Sequence, residues 1–246
     1  MKNHSFALLS SILCEDNFTW EDKIFLTFDI DWAHEEIIED VLKLCIDYSV
    51  PATFFATHKT DLLCGSMMCS NAFEVGLHPN FNYLLSGRSQ EADFREICWK
   101  LKEYFPEASS VRSHSLCFSS LIQTVYQEIG ITHDSSIMIP CQANNRSLFP
   151  WKMWDGLTRV PCFFSDYVTV KINAINSTNI HELILRNGLK VFDFHPIHVF
   201  LNTESLDRYE QTRPLHRNPK DLINYRYKGY GTRNQLIDLL ELAKKS

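Results

Sequence analysis

Ile24-Phe25-Leu26-Thr27-Phe28-Asp29-Ile30-Asp31-Trp32 is an apolar run that ends in two carboxylates separated by one residue. Its β-branched and aromatic content predicts a strand over Ile24–Phe28. Carboxylates resist burial unless they are paired, hydrogen-bonded or bound to a cation. Asp29 and Asp31, placed where a buried strand stops, therefore need partners. Next comes Glu35–Tyr48, with Ile37, Ile38, Val41, Leu42, Cys45 and Ile46 on one helical face. Pro51 follows the Ser49-Val50 break, and Ala52–Ala56 reads as a second strand. Strand, helix and strand at this spacing make a βα unit with parallel pairing.

The alternation continues along the chain. Phe73–Leu77 is a strand ending at His78. Ser89–Phe105 carries a helical stripe (Phe94, Ile97, Cys98, Leu101, Phe105) that Pro106 stops. Ser120-Leu121-Ile122-Gln123 has a capping-box pattern and opens a helix that Gly130 closes. Asn179 to Gly188 is a short helix, Leu189–Phe194 a buried strand. Thr232-Arg233-Asn234-Gln235 opens the last helix, whose negative end suits Lys244-Lys245. With no internal repeat and no Pro/Gly/Ser linker, residues 1–246 are expected to form one α/β domain with a mostly parallel sheet.

Hydrophobic residues make up 45% of the chain and aromatics 13%, enough for a substantial core. The formal net charge of -6 gives no support for nucleic-acid binding. No apolar stretch approaches the ~20 residues of a membrane span. The first apolar segment, Phe6–Leu13, is short, broken by Ser10-Ser11 and followed by Glu15-Asp16, a poor match to a secretory signal. A cytoplasmic protein is expected. The eight cysteines (Cys14, Cys45, Cys64, Cys69, Cys98, Cys117, Cys141, Cys162) contain no C-x-x-C pair. They read as reduced thiols, with Cys45 and Cys98 acting as small core hydrophobes, and not as a zinc site.

Three further motifs put imidazoles where strands end: Glu74-Val75-Gly76-Leu77-His78-Pro79-Asn80, Val111-Arg112-Ser113-His114 and Val191-Phe192-Asp193-Phe194-His195-Pro196-Ile197-His198. Parallel α/β sheets gather their sites at the carboxyl ends of strands, so Asp29, Asp31, His78, His114 and His195 are candidates for one site. Plainer roles exist for three of them, and Asp29 has none. Asp31 would cap the following helix, His78 would be a turn residue before Pro79, and His195 a satisfied core histidine. His198 is divided between supporting the site and plain structure. His4, His34, His58, His133, His181 and His216 read as surface or local structure. Arg159, Asp155 and Asp166 read as a solvated loop sooner than a cleft. Phe81, Tyr83, Trp151 and Trp154 read as core sooner than sugar platforms.

Thr27-Phe28-Asp29-Ile30-Asp31 resembles the first motif, Thr-Phe-Asp-Asp-Gly, of the polysaccharide deacetylases (NodB homology, carbohydrate esterase family 4). Ile30 is inserted and the glycine is missing. Val50-Pro51-Ala52-Thr53-Phe54-Phe55 resembles the second strand of that family. The resemblance implies a single-domain distorted (β/α) barrel, with Asp29 as general base and Asp31 as metal ligand. Glu74–His78 resembles the strand leading into a His-x-x-x-His metal motif whose first His is His78. The second falls on Asn82, a poor ligand. His114 is the candidate replacement, with Asn80 and Asn82 the other donors in reach of the motif. Arg112 matches an arginine that orients the catalytic Asp. His133-Asp134-Ser135-Ser136 resembles a structural Asp-Ser-Ser segment. Phe192–Pro196 resembles the last motif, which makes His195 the general acid. Asp-x-Asp with His-Pro-Asn and Arg-Ser-His is similar to the divergent WbmS-like branch, linked to bacterial surface polysaccharides.

The residue chemistry agrees with what the resemblance implies. Amide hydrolysis needs a Lewis acid, a base for water and an acid for the leaving amine. One carboxylate and two imidazoles form a common catalytic metal shell. The expected cofactor is one divalent ion, zinc by default with other divalent metals open. The expected activity is removal of an N-acyl group, acetyl first; the resemblance alone implies the substrate, an amino sugar or a sugar intermediate of surface-polysaccharide synthesis, as a carbohydrate or nucleotide sugar. The alternatives are a non-catalytic sugar-binding protein on the same fold and a metal hydrolase acting on a phosphoester or a non-sugar amide.

Overall fold

The computed structural model describes residues 5–65, 71–88, 90–91, 93–142 and 147–244. His4, Cys69, Ser89 and Lys245, each given a role by the sequence, lie outside the described residues. The strands are β1 (Ser5–Phe6), β2 (Lys23–Asp29), β3 (Ala52–Ala56), β4 (Phe73–Leu77), β5 (Ser110–Val111), β6 (His133–Asp134), β7 (Trp151–Lys152), β8 (Thr158–Arg159), β9 (Phe164–Ser165) and β10 (Lys190–Phe194). They form one sheet in the order β7-β8-β6-β5-β4-β3-β2-β10-β9, with β1 added to β2. Every pairing is parallel except β7 with β8. The sheet curls into a distorted (β/α) barrel whose seam stays open between β7 and β9. Two isolated bridges, Met138 to Cys162 and Leu148 to Gly188, tie segments across that seam.

Period-two alternation sorts the strand residues. Ile24, Leu26 and Phe28 of β2, with Phe54, Phe192 and Phe194, face outward. They pack on Ile37, Ile38, Val41, Leu42 and Cys45 of the helix Glu35–Tyr48 and on Leu236, Leu239 and Leu240 of the helix Thr232–Leu240. Phe25, Phe55 and Val191 face inward. They meet Leu9, Ile12 and Trp20 of the N-terminal segment, together with Val160, Cys162 and Leu189. The apolar stretch near the N-terminus is thus part of the barrel interior, held by β1 on β2 and by Leu9 N–H donating to Thr53 Oγ1 (3.2 Å). Each fully buried Leu, Ile or Phe in these two clusters contributes roughly 1.5–3 kcal/mol.

Several boundaries differ from the sequence expectation. β2 extends through Asp29, which pairs with Phe55, so this carboxylate sits in the ladder and not after it. His34, not Asp31, caps the helix Glu35–Tyr48, its Nδ1 accepting from Glu36 N–H (3.3 Å). The next long helix is Phe94–Tyr104, capped by Asp93 and shorter than Ser89–Phe105. Ser119 caps the helix Ser120–Glu128, one residue before the expected position. The short helix spans Ile180–Ile184, capped by Asn179. The described cysteines are free thiols, and Cys45 and Cys98 are buried. No helix among the described residues is long and apolar enough to cross a membrane.

Candidate active site

Asp29, Asp31, His78, Arg112, His114 and His195 come to one end of the barrel. Asp29 closes β2, His78 follows β4, Arg112 to His114 follow β5, and Asp193 and His195 end β10. Between Asp29 and the next helix the chain turns sharply, Ala33 N–H donating to Ile30 O at 2.8 Å. Asp31 (φ 40°) and Trp32 (φ 56°) both occupy the left-handed region. Non-glycine residues seldom sit there, and for a bulky one the strain is of order 1–3 kcal/mol. Trp32 N–H is held by Thr57 Oγ1 at 3.1 Å. The turn that the missing glycine would have eased is made here under strain, and it lifts the Asp31 carboxylate into the cavity.

Asp31, His78 and His114 converge. His114 Nδ1 lies 2.9 Å from Asp31 Oδ1 and 3.3 Å from His78 Nε2, and His78 Nε2 lies 3.3 Å from Asp31 Oδ1. Donors at about 2.0–2.2 Å from a tetrahedral cation stand roughly 3.3 Å apart. The three atoms therefore fit one divalent ion, and the set of one carboxylate and two imidazoles suits zinc-like metals. Asn82 is elsewhere: its Nδ2 donates to Ser115 Oγ (3.0 Å) on the outer side of His114, and Asn80 Oδ1 accepts from Asn82 N–H (3.0 Å). The third donor atom near Asp31 and His78 is His114 Nδ1. Its ring is packed edge-on by Trp32 (5.1 Å) and His78 (5.4 Å), and its N–H is tied to Pro79 O (3.0 Å). Burial works against charge on Asp31, but the imidazoles of His114 and His78 outweigh it and hold the carboxyl well below the usual range.

Arg112 organises the adjoining wall and is fully buried. Nη1 donates to Asp29 Oδ1 (2.9 Å), Asp193 Oδ1 (2.7 Å) and Thr27 Oγ1 (2.9 Å), while Nη2 and Nε donate to Ser135 Oγ (3.0 Å) and O (3.3 Å). Burial opposes its charge, yet Asp29 and Asp193 overcome that and keep it protonated. Asp193, opposite Thr27 in the ladder, is pushed upward by burial first and by Asp29 second. One cation thus serves two carboxylates, and Asp29 keeps its other oxygen, Oδ2, facing His78 Nε2 at 3.8 Å. The guanidinium also lies 4.6 Å from the Phe55 ring centre. That ring fits only because residue 76 is glycine: a Cβ there would come within 2.5 Å of Phe55 and 2.6 Å of Ser110 Oγ.

His195 is placed on the other side. Its Nδ1 meets Asp166 Oδ1 at 2.7 Å and its backbone N–H donates to Asp166 Oδ2 at 2.8 Å, which leaves Nε2 in the cavity, 3.6 Å from Asp31 Oδ2. Burial disfavours its charge, but Asp166 and Asp193 more than compensate and raise it well above an ordinary histidine. His198 is buried beneath, hydrogen-bonded to Thr203 Oγ1 (3.1 Å) and packed against His195, Tyr167 and Tyr209. These groups surround a cavity of about 480 Å³, with Tyr167, Tyr209 and Arg213 also among its walls.

A family model described as WbmS-like, polysaccharide deacetylase, matches residues 26–213, a span holding every residue of this site. The chain belongs to the WbmS-like polysaccharide deacetylases. A solved member, a candidate polysaccharide deacetylase involved in O-antigen biosynthesis from Bordetella bronchiseptica, is 41% identical to this WbmS-like chain. The match covers 96% of this chain and 97% of that one, with a TM-score of 0.91. More distant likenesses include a candidate polysaccharide deacetylase from Mycobacterium smegmatis (16% identity, coverage 79% and 77%, TM-score 0.49). Another is a family 4 carbohydrate esterase from Streptomyces lividans crystallised with acetate (11% identity, coverage 89% and 87%, TM-score 0.45). No curated protein matches the chain.

Within this WbmS-like site, Asp193 and Trp32 are given no role by the sequence, and Asp166 is read as part of a solvated loop. Asp193 had a signal, since alternation in Val191-Phe192-Asp193-Phe194 puts it on the inward face with Val191. Asp166 had none: it reaches His195 only through the pairing of β9 with β10. The solvated-loop reading fails for it and for Arg159, both fully buried, Arg159 in an ion pair with Asp134. Asp155 does stay outside the site, bonded to Gln123 Nε2 (2.5 Å). Phe81 is core, whereas Tyr83 and Trp154 are exposed.

Proposed function

We propose that this WbmS-like chain is a metal-dependent hydrolase that removes an N-acyl group, acetyl in the simplest case, from an amino sugar or sugar intermediate of surface-polysaccharide synthesis. The observation that carries the proposal is the meeting of Asp31, His78 and His114 within 2.9–3.3 Å, flanked by Asp29 and His195. The Bordetella relative's link to O-antigen biosynthesis supports the substrate class.

Asp31, His78 and His114 would hold the ion, which supplies Lewis acidity toward the acyl oxygen and an attacking water. Asp29 takes the water proton: Arg112 occupies only its Oδ1, and Oδ2 stays turned toward His78 and the cavity. Asp193 shares that arginine and fixes the guanidinium beside Asp29. His195, protonated and fixed through Nδ1 by Asp166, presents Nε2 to the leaving amine and gives it a proton as the C–N bond breaks. Acyl transfer to water then yields a carboxylic acid and the free amino sugar. The second reading, a binding protein without catalysis, rested on Asn82; His114 standing in the vacant donor place takes that support away.

The deciding experiment measures acetate release from N-acetylated amino sugars and sugar nucleotides by protein loaded with zinc, cobalt or manganese, alongside Asp29→Asn. Release by the wild type and loss in the variant are expected. Full activity in Asp29→Asn would overturn the assignment of the base, and a stoichiometrically loaded protein that releases nothing from any acylated sugar would overturn the proposal.

A further inference from the structure

A second cleft, about 870 Å³, adjoins the catalytic cavity, and the reaction above does not use it. The two meet at His114, which lines both. Their linings differ. In the catalytic cavity the charged groups are paired: Arg112 is committed to Asp29 and Asp193, Arg213 to Glu210, and Asp31 lies among the histidines. Lys59 and Lys100 line the second cleft against one carboxylate, Glu91, and His58 at its wall faces Arg217 and Glu35. Lys100 reaches Glu91 at 3.4 Å with over half of its side chain exposed, a surface contact of small worth. Lys59 has no carboxylate partner among the described residues, and its ammonium lies 6.0 Å from the Tyr104 ring centre. Trp32, Tyr83 and Tyr104 supply aromatic surface on the same walls.

Trp32 connects the two spaces. Its backbone is held in the left-handed region, where a bulky side chain is strained, and the half-buried indole stands edge-on to His114 while facing the second cleft. Strain of this kind persists where the surroundings enforce one side-chain position, and it clusters at binding sites. Here it fixes a flat apolar platform beside the ring shared by both cavities. In the catalytic cavity the arginines already have carboxylate partners, whereas an anion placed beyond Trp32 meets two lysines.

We propose that the second cleft binds the portion of the substrate attached to the N-acylated sugar, and that this portion carries a carboxylate or phosphate held by Lys59 and Lys100 with a sugar ring against Trp32. This rests on the hydrolase reading and adds an anionic substrate class to it. The test is calorimetric titration of the metal-loaded wild type with three probes: a uronic-acid-containing hyaluronan tetrasaccharide, UDP-N-acetylglucosamine and neutral chitotetraose. At least one anionic probe is expected to bind about tenfold more tightly than chitotetraose, as two partly exposed ion pairs allow. The preference should shrink as salt is raised and vanish in Lys59→Ala/Lys100→Ala, and the charge reversal Lys59→Glu/Lys100→Glu should favour the neutral probe. Preference for hyaluronan alone identifies a carboxylate, for the nucleotide sugar alone a phosphate. Equal binding of all three probes, or a preference that survives in the double variant, overturns the assignment. Acyl release is measured separately on the same probes. A binding preference without acyl release from any acylated sugar sinks the hydrolase reading and not the cleft, and release without preference sinks the cleft alone.

Discussion

Asp166 grips His195 twice, one carboxylate oxygen at ring Nδ1 (2.7 Å) and the other at the backbone N–H (2.8 Å). The first contact fixes which nitrogen faces the cavity and favours the protonated ring; the second fixes where the ring stands. Asp166→Asn should therefore lower kcat by roughly a hundredfold, the scale of a general-acid contribution, while metal content stays at the wild-type level. Steady-state kinetics with metal analysis checks this. Simultaneous loss of metal would show that Asp166 serves the whole cavity and not His195.

Replacing His114 and replacing Asn82 should differ sharply. His114→Ala removes one of three converging donors, so metal affinity should drop by at least roughly a hundredfold, and chelation should abolish hydrolysis in the wild type. Asn82→Ala touches only Ser115 on the far side and should leave the stoichiometry alone. Competition with a metal-binding dye reads both. Tight binding in His114→Ala would remove that residue from the ligand set.

Gly76 is expected to be intolerant of the smallest change. A methyl group there collides with Phe55 and Ser110, and Phe55 backs the Arg112 guanidinium. Gly76→Ala should lower stability by about 1–3 kcal/mol, as overpacking does, and reduce kcat through the displaced arginine. Thermal melts and kinetics on the same preparation test the link; a destabilised variant with wild-type kcat would break it.

Acid should weaken the fold through His198. Burial pushes this imidazole down from 6.5 to about 4, against the pull of Asp166. Between those values the unfolded chain takes up a proton that the folded chain refuses, so stability falls as pH drops from about 6.5 toward 4 and is intact above that window. The loss from this one group is roughly 2 kcal/mol by pH 4.5. His198→Gln keeps a partner for Thr203 without titrating, and its melting temperature should fall less steeply over the same range. Parallel slopes for the two proteins would rule His198 out as the source.

The sequence carried the barrel and most of the site because both depend on local pattern. Ala52–Ala56 and Phe73–Leu77 match the strands residue for residue, and the helix Glu35–Tyr48 matches at both ends, since each shows clean periodicity and a sharp break. The short strands β5 to β9, two residues each, give too few positions for alternation to register. Asp166 follows from the pairing of two of the sheet's strands, information no local window holds. Capping missed by a residue at Ser119 because adjacent serines offer the same hydroxyl, and tertiary contacts choose between them. His114 was legible by the gap at Asn82, but its closeness to Asp31 depended on the left-handed turn through Asp31 and Trp32.

Thr27 Oγ1 donates to Phe192 O across 165 residues of chain, in the middle of the sheet. Asp31, His78 and His114 all come from the first half of the sequence, whereas His195 arrives with β10, which must insert between β2 and β9. A chain emerging from the ribosome therefore possesses its three candidate ion-holding groups long before His195. Such distant pairing is slow to form, so the step that seats β10 is also the one that completes the candidate site.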